Sequence, residues 1–161
     1  MEKLISPFFY EDRNELSTKR SETIVNYIVI LLAFAKENGI SEDDLINWLH
    51  NKYEEMGYYD QWRIMNSNSV EEFVKLFIKG RNLLYDNIQL DEDDEKYIIR
   101  TKTWYTKAPS EAFFFFGIEP EELAIYSTKL AIENAKKLGF HINVYKKSDI
   151  EEAHIYKTNG C

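Results

Sequence analysis

Hydrophobic residues in the first half of the chain recur every three or four positions, which is typical of amphipathic helices. The pattern predicts four helices, at about 21–38, 41–57, 58–65 and 69–85, and irregular structure over 1–18. The first helix is apolar on nearly all sides and should therefore be the centre of a helical half. The second and fourth open with a serine followed three residues later by an acidic residue, which is a capping box.

The pattern changes after an acidic stretch at 91–95, which is predicted to be a solvated connector. Residues 96–106 alternate and are rich in β-branched and aromatic side chains, which predicts a strand. A short aromatic helix at 113–116 and a long helix at 120–138 follow. Gly139 then stands where a helix end favours a left-handed residue, so the long helix should stop there.

Beyond Gly139 the period becomes two, which predicts a hairpin that turns near Ser148 and Asp149. Residues that pair across a hairpin share a face, so the hairpin should have one aliphatic face and one polar, aromatic face. The aliphatic face comprises Phe140, Ile142, Val144, Ala153 and Ile155, and the other face comprises His141, Asn143, Tyr145, Glu152, His154 and Tyr156.

These elements predict an α+β fold, in which an N-terminal helical bundle packs with a small C-terminal sheet of strand-helix-strand-strand order. We expect a single domain over 1–161, with a helical half at 1–90 and an α+β half at 96–158. The long helix should cover one face of the sheet, and the N-terminal helices the other face or one end, which leaves a crevice. Small residues repeat along the long helix and should permit a close approach of sheet or backbone: Ala124, Thr128, Ala131 and Ala135.

Composition narrows the class of protein. Of the 161 residues, 44% are hydrophobic and 30% are charged, which favours a globular protein over a disordered one. The net charge is -8 and no basic cluster occurs, so a nucleic-acid partner is not expected. The longest apolar run, at 27–35, is shorter than the roughly 20 residues that span a bilayer, so no membrane association is expected. The single cysteine, Cys161, gives no disulfide framework, and a cytoplasmic location is predicted.

The polar, aromatic strand face is the predicted ligand-binding site. Flat aromatic surface with a few directional polar groups is what a pocket for a small molecule needs. The alternative is a solvent-facing sheet surface with cross-strand pairs. The first strand should contribute if its even-numbered residues face the same way, so the predicted site residues are His141, Asn143, Tyr145, His154, Tyr156, Arg100 and Trp104.

Evidence for catalysis or metal binding is weak. His141, His154 and Glu152 would supply two imidazoles and a carboxylate, but two strands alone do not make such ligands converge, and we predict neither a metal nor another cofactor. His50 and Glu54 are four residues apart on a helix and are interpreted as an exposed pair. The chain has no nucleophile elbow and no phosphate-binding glycine pattern.

The order of elements resembles the L-2-amino-thiazoline-4-carboxylic acid hydrolase family. The resemblance is carried by the apolar helix with the following Lys36–Glu42 segment, by the stretches 94–104, 111–117 and 123–138, and by the final hairpin. It implies a shared fold and a small, amino-acid-like ligand. The family's cysteines at the end of the first strand, in the long helix and in the hairpin have no counterpart here, so cysteine-dependent chemistry is not implied.

The sequence therefore predicts a small-molecule-binding domain. The alternative is a protein-interaction or inhibitor protein, with another protein or a second copy of the chain as its partner, because 24 aromatic residues are present without a catalytic motif. An active small-molecule hydrolase is the third hypothesis, and the sequence leaves open whether any reaction is catalysed.

Overall fold

Helices and a four-stranded sheet make up a computed structural model that describes residues 13–82, 84–103, 105, 109–147 and 150–157. The helices are α1 (Arg13–Glu37), α2 (Glu42–Glu55), α3 (Tyr58–Met65), α4 (Val70–Arg81), α5 (Glu111–Phe116) and α6 (Pro120–Leu138). The strands are β1 (Tyr85–Glu92), β2 (Lys96–Thr103), β3 (Ile142–Lys147) and β4 (Ile150–Tyr156). The predicted α+β class is confirmed, whereas the predicted hairpin turn at Ser148 and Asp149 lies outside the described residues.

The predicted starts of α2 and α4 and the predicted end of α6 are also confirmed. Ser41 and Ser69 precede α2 and α4, and each side-chain oxygen accepts a hydrogen bond from the backbone N–H three residues later. At the start of α6, the Glu122 carboxylate accepts a hydrogen bond from the Glu119 backbone N–H at 2.8 Å, which is the reciprocal half of a capping box. Gly139 ends α6 with a φ of 86°, a conformation that few residues other than glycine adopt readily.

Helix α1 begins earlier than the hydrophobic pattern predicted. Its first residue is Arg13, so the prediction of irregular structure through residue 18 is wrong for 13–18. Residues 17–20 are exposed, and an exposed helical turn shows no apolar period.

Among the described residues, no single helix is both long and apolar enough to cross a membrane. The segments Ser17–Glu37 and Glu42–Glu55 pass that test only as a pair, and they are bent by 115°.

Strand β1 was missed by the sequence analysis, which extended the fourth helix to Tyr85 and assigned 91–95 to a connector. In the structure α4 ends at Arg81 and Tyr85 begins β1, which pairs antiparallel with β2. The pairing register shifts between Asp86 and Gln89, and Asn87 adopts a positive φ of 52°. This irregularity at a sheet edge breaks the alternation by which a strand is recognised.

The sheet order is β1-β2-β4-β3, and all neighbouring strands are antiparallel. Helices α4 and α6 pack against the same face. The N-terminal helices were expected on the other face or at one end of the sheet, and the first of these alternatives is therefore wrong. The sheet has only one aliphatic face, and only that face gains from being covered. The inner face contributes Tyr97, Ile99, Ile142, Ala153 and Ile155 to a core cluster with residues of α3, α4 and the end of α6.

Two clusters of buried residues form the core. The first joins α1, α2, α5 and the start of α6, and it includes Val29, Leu123 and Tyr105. The second joins α3, α4, the inner sheet face and the end of α6, and it includes Phe73 and Leu138. Helix α6 belongs to both clusters, so its middle turns lie at the boundary between them.

Candidate functional site

The predicted strand-face residues lie together on the outer face of the sheet, the face away from α4 and α6. Arg100 pairs with Glu152 across β2 and β4, so the even-numbered residues of β2 do share this face. Arg100 Nε donates to Glu152 Oε2 at 2.6 Å, and His154 Nε2 lies 2.7 Å from Glu152 Oε1. These hydrogen bonds, from His154 first and then Arg100, lower the pKa of Glu152. The ring of Tyr145 lies against His154, with centroids 5.0 Å apart.

The remaining members of the set also contact one another. Asn143 Nδ2 donates to the Tyr156 hydroxyl at 3.2 Å, and the His141 ring packs on Tyr156 with centroids 4.8 Å apart. Trp104 lies outside the described residues. The predicted crevice between sheet and helical half therefore does not include this face, because the face points away from the helices. A role for its residues in ligand binding stays a prediction.

His141 and His154 have different neighbours, since the first packs on Tyr156 and the second contacts Glu152. Within the described parts of the chain, no group of three or more His, Cys, Asp or Glu side chains could hold a metal ion.

A cavity of about 230 Å³ lies on the helical side of the sheet, where α1, α3, α4 and α6 meet. It occupies the boundary between the two core clusters, because Leu123 of the first cluster and Phe73 of the second both line it. The cavity exists because its walls carry small residues. Ala131 and Gly80 line it, and a Cβ atom built on Gly80 meets nothing within 4 Å.

A buried polar network around Arg81 and Glu151, which are 4% and 3% exposed, reaches one wall of the cavity through Arg81 and Ser127. Arg81 Nη2 and Glu151 Oε1 form an ion pair at 2.8 Å, and Arg81 Nη1 donates to the Tyr85 hydroxyl at 2.7 Å. Glu151 Oε2 accepts hydrogen bonds from Tyr85 at 3.1 Å and from Thr128 at 3.0 Å. The Ser127 hydroxyl lies 3.2 Å from that of Tyr85, and Ser127 and Arg81 both line the cavity.

The Arg81 guanidinium is fixed by aromatic rings as well as by Glu151. Its central carbon lies 4.7 Å from the ring centroid of Phe77 and 4.8 Å from that of Tyr85, which are cation–π distances. Burial raises the pKa of Tyr85, so its hydroxyl stays protonated and donates at neutral pH. Arg81 is the only charged residue among the described residues that line the cavity.

A second polar group reaches the cavity through Asn134, which also lines it. The Tyr59 hydroxyl contacts His50 Nδ1 and donates to Asn134 Oδ1 at 3.5 Å. His50 is 2% exposed, so the interpretation of His50 and Glu54 as an exposed pair is wrong for His50. Glu54 is exposed, and its Oε2 atom accepts a hydrogen bond from Lys137 Nζ at 2.8 Å. The Nε2 atom of His50 is buried and has no hydrogen-bond partner among the residues that the structure describes.

We expect His50 to make the protein sensitive to mild acid. Burial lowers the pKa of His50 below its ordinary value of about 6.5. Just below pH 6.5 the unfolded chain therefore binds more protons than the folded protein. The stability that neutral His50 contributes is complete above that pH and is lost as the pH falls toward the lowered pKa. Urea unfolding at several pH values between 7.5 and 5 should show a smaller loss of stability for His50→Gln than for the wild type, and parallel losses would contradict this.

Sequence reasoning missed Arg81, Tyr85 and Glu151, although one signal was present. Glu151 has the same parity in the β4 alternation as Ala153 and Ile155, so it is a carboxylate at an inward-facing position. A charged residue at such a position requires a buried partner of opposite charge. Nothing in the sequence pattern shows that the partner is Arg81, because the two residues are far apart along the chain.

The fold and site define an α+β protein whose antiparallel sheet is backed by helices that enclose a cavity with a buried ion pair. No protein-family model matches the chain, so the resemblance to the hydrolase family stays a prediction. The chain is 57% identical to the "Uncharacterized protein YxnB" of Bacillus subtilis (strain 168) over 148 aligned residues. The alignment covers 91% of this chain and 92% of YxnB. The chain therefore belongs to the same family as YxnB.

Proposed function

We propose that the protein binds a small, largely apolar molecule in the cavity between α1, α3, α4 and α6. The observation that carries this proposal is a space at the boundary of two well-packed clusters, lined by apolar side chains with a fixed polar group at one wall. Protein cores are normally close-packed, and pockets with a few directional polar groups are typical of ligand sites. The outer sheet face supports this role less, because its polar groups already bind one another.

The size of the cavity limits the ligand. Its volume of about 230 Å³ exceeds the roughly 150 Å³ of a cavity that admits benzene. It falls below the roughly 300 Å³ at which sites for drug-sized molecules begin. A ligand of one or two rings, or one ring with a short chain, fits this range.

Gly80 offers a direct test, because it lies in α4 with no atom near the position of a Cβ. We expect Gly80→Ala to raise the free energy of unfolding by about 0.5–1 kcal/mol, since glycine disfavours the helix by that amount.

Gly80→Leu tests the location of the ligand. This variant should fold as well as Gly80→Ala, and its side chain should occupy the cavity. Lys79→Leu is the matched control, because it adds the same side chain at the neighbouring position, which does not line the cavity.

Native mass spectrometry of gently purified protein provides the readout, compared with the denatured mass. Wild type and Lys79→Leu should carry extra mass that is lost on denaturation, and Gly80→Leu should not. Tyr145→Ala tests the outer face, and we expect it to retain the mass. Loss of the extra mass in Tyr145→Ala but not in Gly80→Leu would contradict the proposed location.

A second candidate function is self-association through α1, and a specific surface favours it. The second half of α1 is apolar on nearly all sides, yet Tyr27, Ile30 and Phe34 are exposed on one side. They belong to a seam with alternating spacings of three and four residues, as in a coiled coil, which comprises Arg20, Thr23, Tyr27, Ile30, Phe34 and Glu37.

This α1 seam is complementary to itself. When two copies are set antiparallel about a two-fold axis through the middle of the seam, Tyr27 of one copy faces Ile30 of the other. Arg20 then faces Glu37, and neither makes an ion pair within the described chain. The seam therefore fits a second copy of the chain, which is the partner that we propose for it.

A further inference from the structure

The charge of the polar wall indicates which class of ligand the cavity accepts. We propose that the cavity selects an uncharged ligand, with a carbonyl or hydroxyl group against Arg81 and Ser127, over the corresponding carboxylate. The inference rests on the proposed function of the cavity and specifies its ligand.

The positive charge of Arg81 is already matched. Glu151 Oε1 lies 2.8 Å from the guanidinium, and Glu151 Oε2 accepts from both Tyr85 and Thr128. Both carboxylate oxygens of Glu151 are thus engaged by neighbouring side chains. The wall is therefore polar but has no net charge.

A ligand carboxylate would place a second anion beside Glu151 in a buried site. Turning Arg81 from Glu151 to the ligand would cost its cation–π contacts with the rings of Phe77 and Tyr85 and would leave Glu151 unmatched. Among the described lining residues no other cation is present. An unmatched buried charge costs several kcal/mol, so an acid should bind more weakly than its neutral analogue.

A ligand group that accepts hydrogen bonds without carrying a charge avoids the cost of an unmatched buried charge. A guanidinium has five N–H donors, and the contacts of Arg81 with Tyr85 and Glu151 leave some of them for a ligand. A further polar lining residue, Asn134, lies seven positions after Ser127 on α6, which is about 10 Å along the helix. Leu130 and Ala131 lie between them, so the site suits an elongated molecule with an apolar middle.

The test compares two probes of nearly the same shape, neutral 4-phenylbutanamide and anionic 4-phenylbutanoate, by isothermal titration of the full chain at pH 7.5. We expect the amide to bind the wild type at least about tenfold more tightly. Gly80→Leu should bind neither probe, which establishes that the binding measured is in the cavity.

Substitution of the anion should change the preference. Glu151→Gln leaves Arg81 unmatched, so we expect the preference to move toward the acid by at least about tenfold. Glu152→Gln makes the same change one residue further along β4, on the outer face, and should keep the preference of the wild type. If Glu151→Gln does not fold, the comparison of the two probes on wild type and Glu152→Gln decides the question alone.

The outcomes separate this inference from the proposed function. If the acid binds the wild type as tightly as the amide and Gly80→Leu loses both, the inference is overturned while the cavity remains a binding site. If neither probe binds the wild type, or if both bind Gly80→Leu unchanged, the proposed function fails and the inference fails with it.

Discussion

Arg81→Met is expected to lower the free energy of unfolding by about 3–5 kcal/mol, because Glu151 would remain buried without its cation. Both side chains of the pair are 4% exposed, so water cannot replace the missing partner. The measurement is urea unfolding at pH 7.5, where the carboxylate must either stay charged or take up a proton at a cost in stability.

Two further variants show whether the effect comes from the unpaired charge. Arg81→Met combined with Glu151→Met should recover much of the loss, since apolar residues of similar volume often replace a buried ion pair without penalty. Arg100→Met breaks the exposed pair with Glu152, whose side chains are 37% and 32% exposed, and should cost less than about 1 kcal/mol. Equal losses for Arg81→Met and Arg100→Met would show that the buried pair is not held as the structure describes.

Phe34→Glu is expected to convert a dimer into a monomer if the α1 seam joins two copies of the chain. Phe34 is 59% exposed and would face Thr23 of the other copy, so the substitution places a charge on each side of the two-fold axis. A seam of one helix per copy buries less than the roughly 1,200 Å² of a stable interface, so we expect dissociation in the micromolar range. Phe34→Glu should raise the dissociation constant at least about tenfold.

Sedimentation equilibrium between about 5 and 200 µM measures this. Ile64→Glu is the control, because it puts the same charge on another exposed apolar residue, in α3 and outside the seam. We expect Ile64→Glu to leave the dimer intact. A wild type that is monomeric over the whole range would exclude the seam as an interface between two copies.

Much of the fold could be predicted because local chemistry determines it. Ser41, Ser69 and Gly139 mark helix ends through single hydrogen bonds or a single backbone conformation, and both kinds of signal are visible in the sequence. The two faces of the final hairpin follow from a period of two. The sequence left open which way the faces of β2 point, and only the strand pairing shows that Arg100 lies on the same face as Tyr145 and His154.

The candidate site could not be predicted in the same way, because it depends on contacts between distant parts of the chain. Arg81 and Glu151 meet only after α4 and β4 pack on opposite sides of the same core. The small residues of α6 were expected to permit close approach. Ala135 is indeed buried in the second cluster, but Ala131 faces the cavity instead. A pattern of small side chains shows that space is available, but not whether another element fills it.

The irregular edge of the sheet has a consequence for how copies of the chain meet at high concentration. An edge strand exposes unpaired backbone groups that can recruit a strand from another molecule and begin aggregation. The register shift at Asp86 to Gln89 and the left-handed Asn87 interrupt that template on β1. On the opposite edge, β3 carries the exposed Lys146, and a charged side chain on an edge strand disfavours pairing with a strand of another molecule. Both open sides of the sheet are thus unsuited to strand addition, which leaves helical surfaces for assembly.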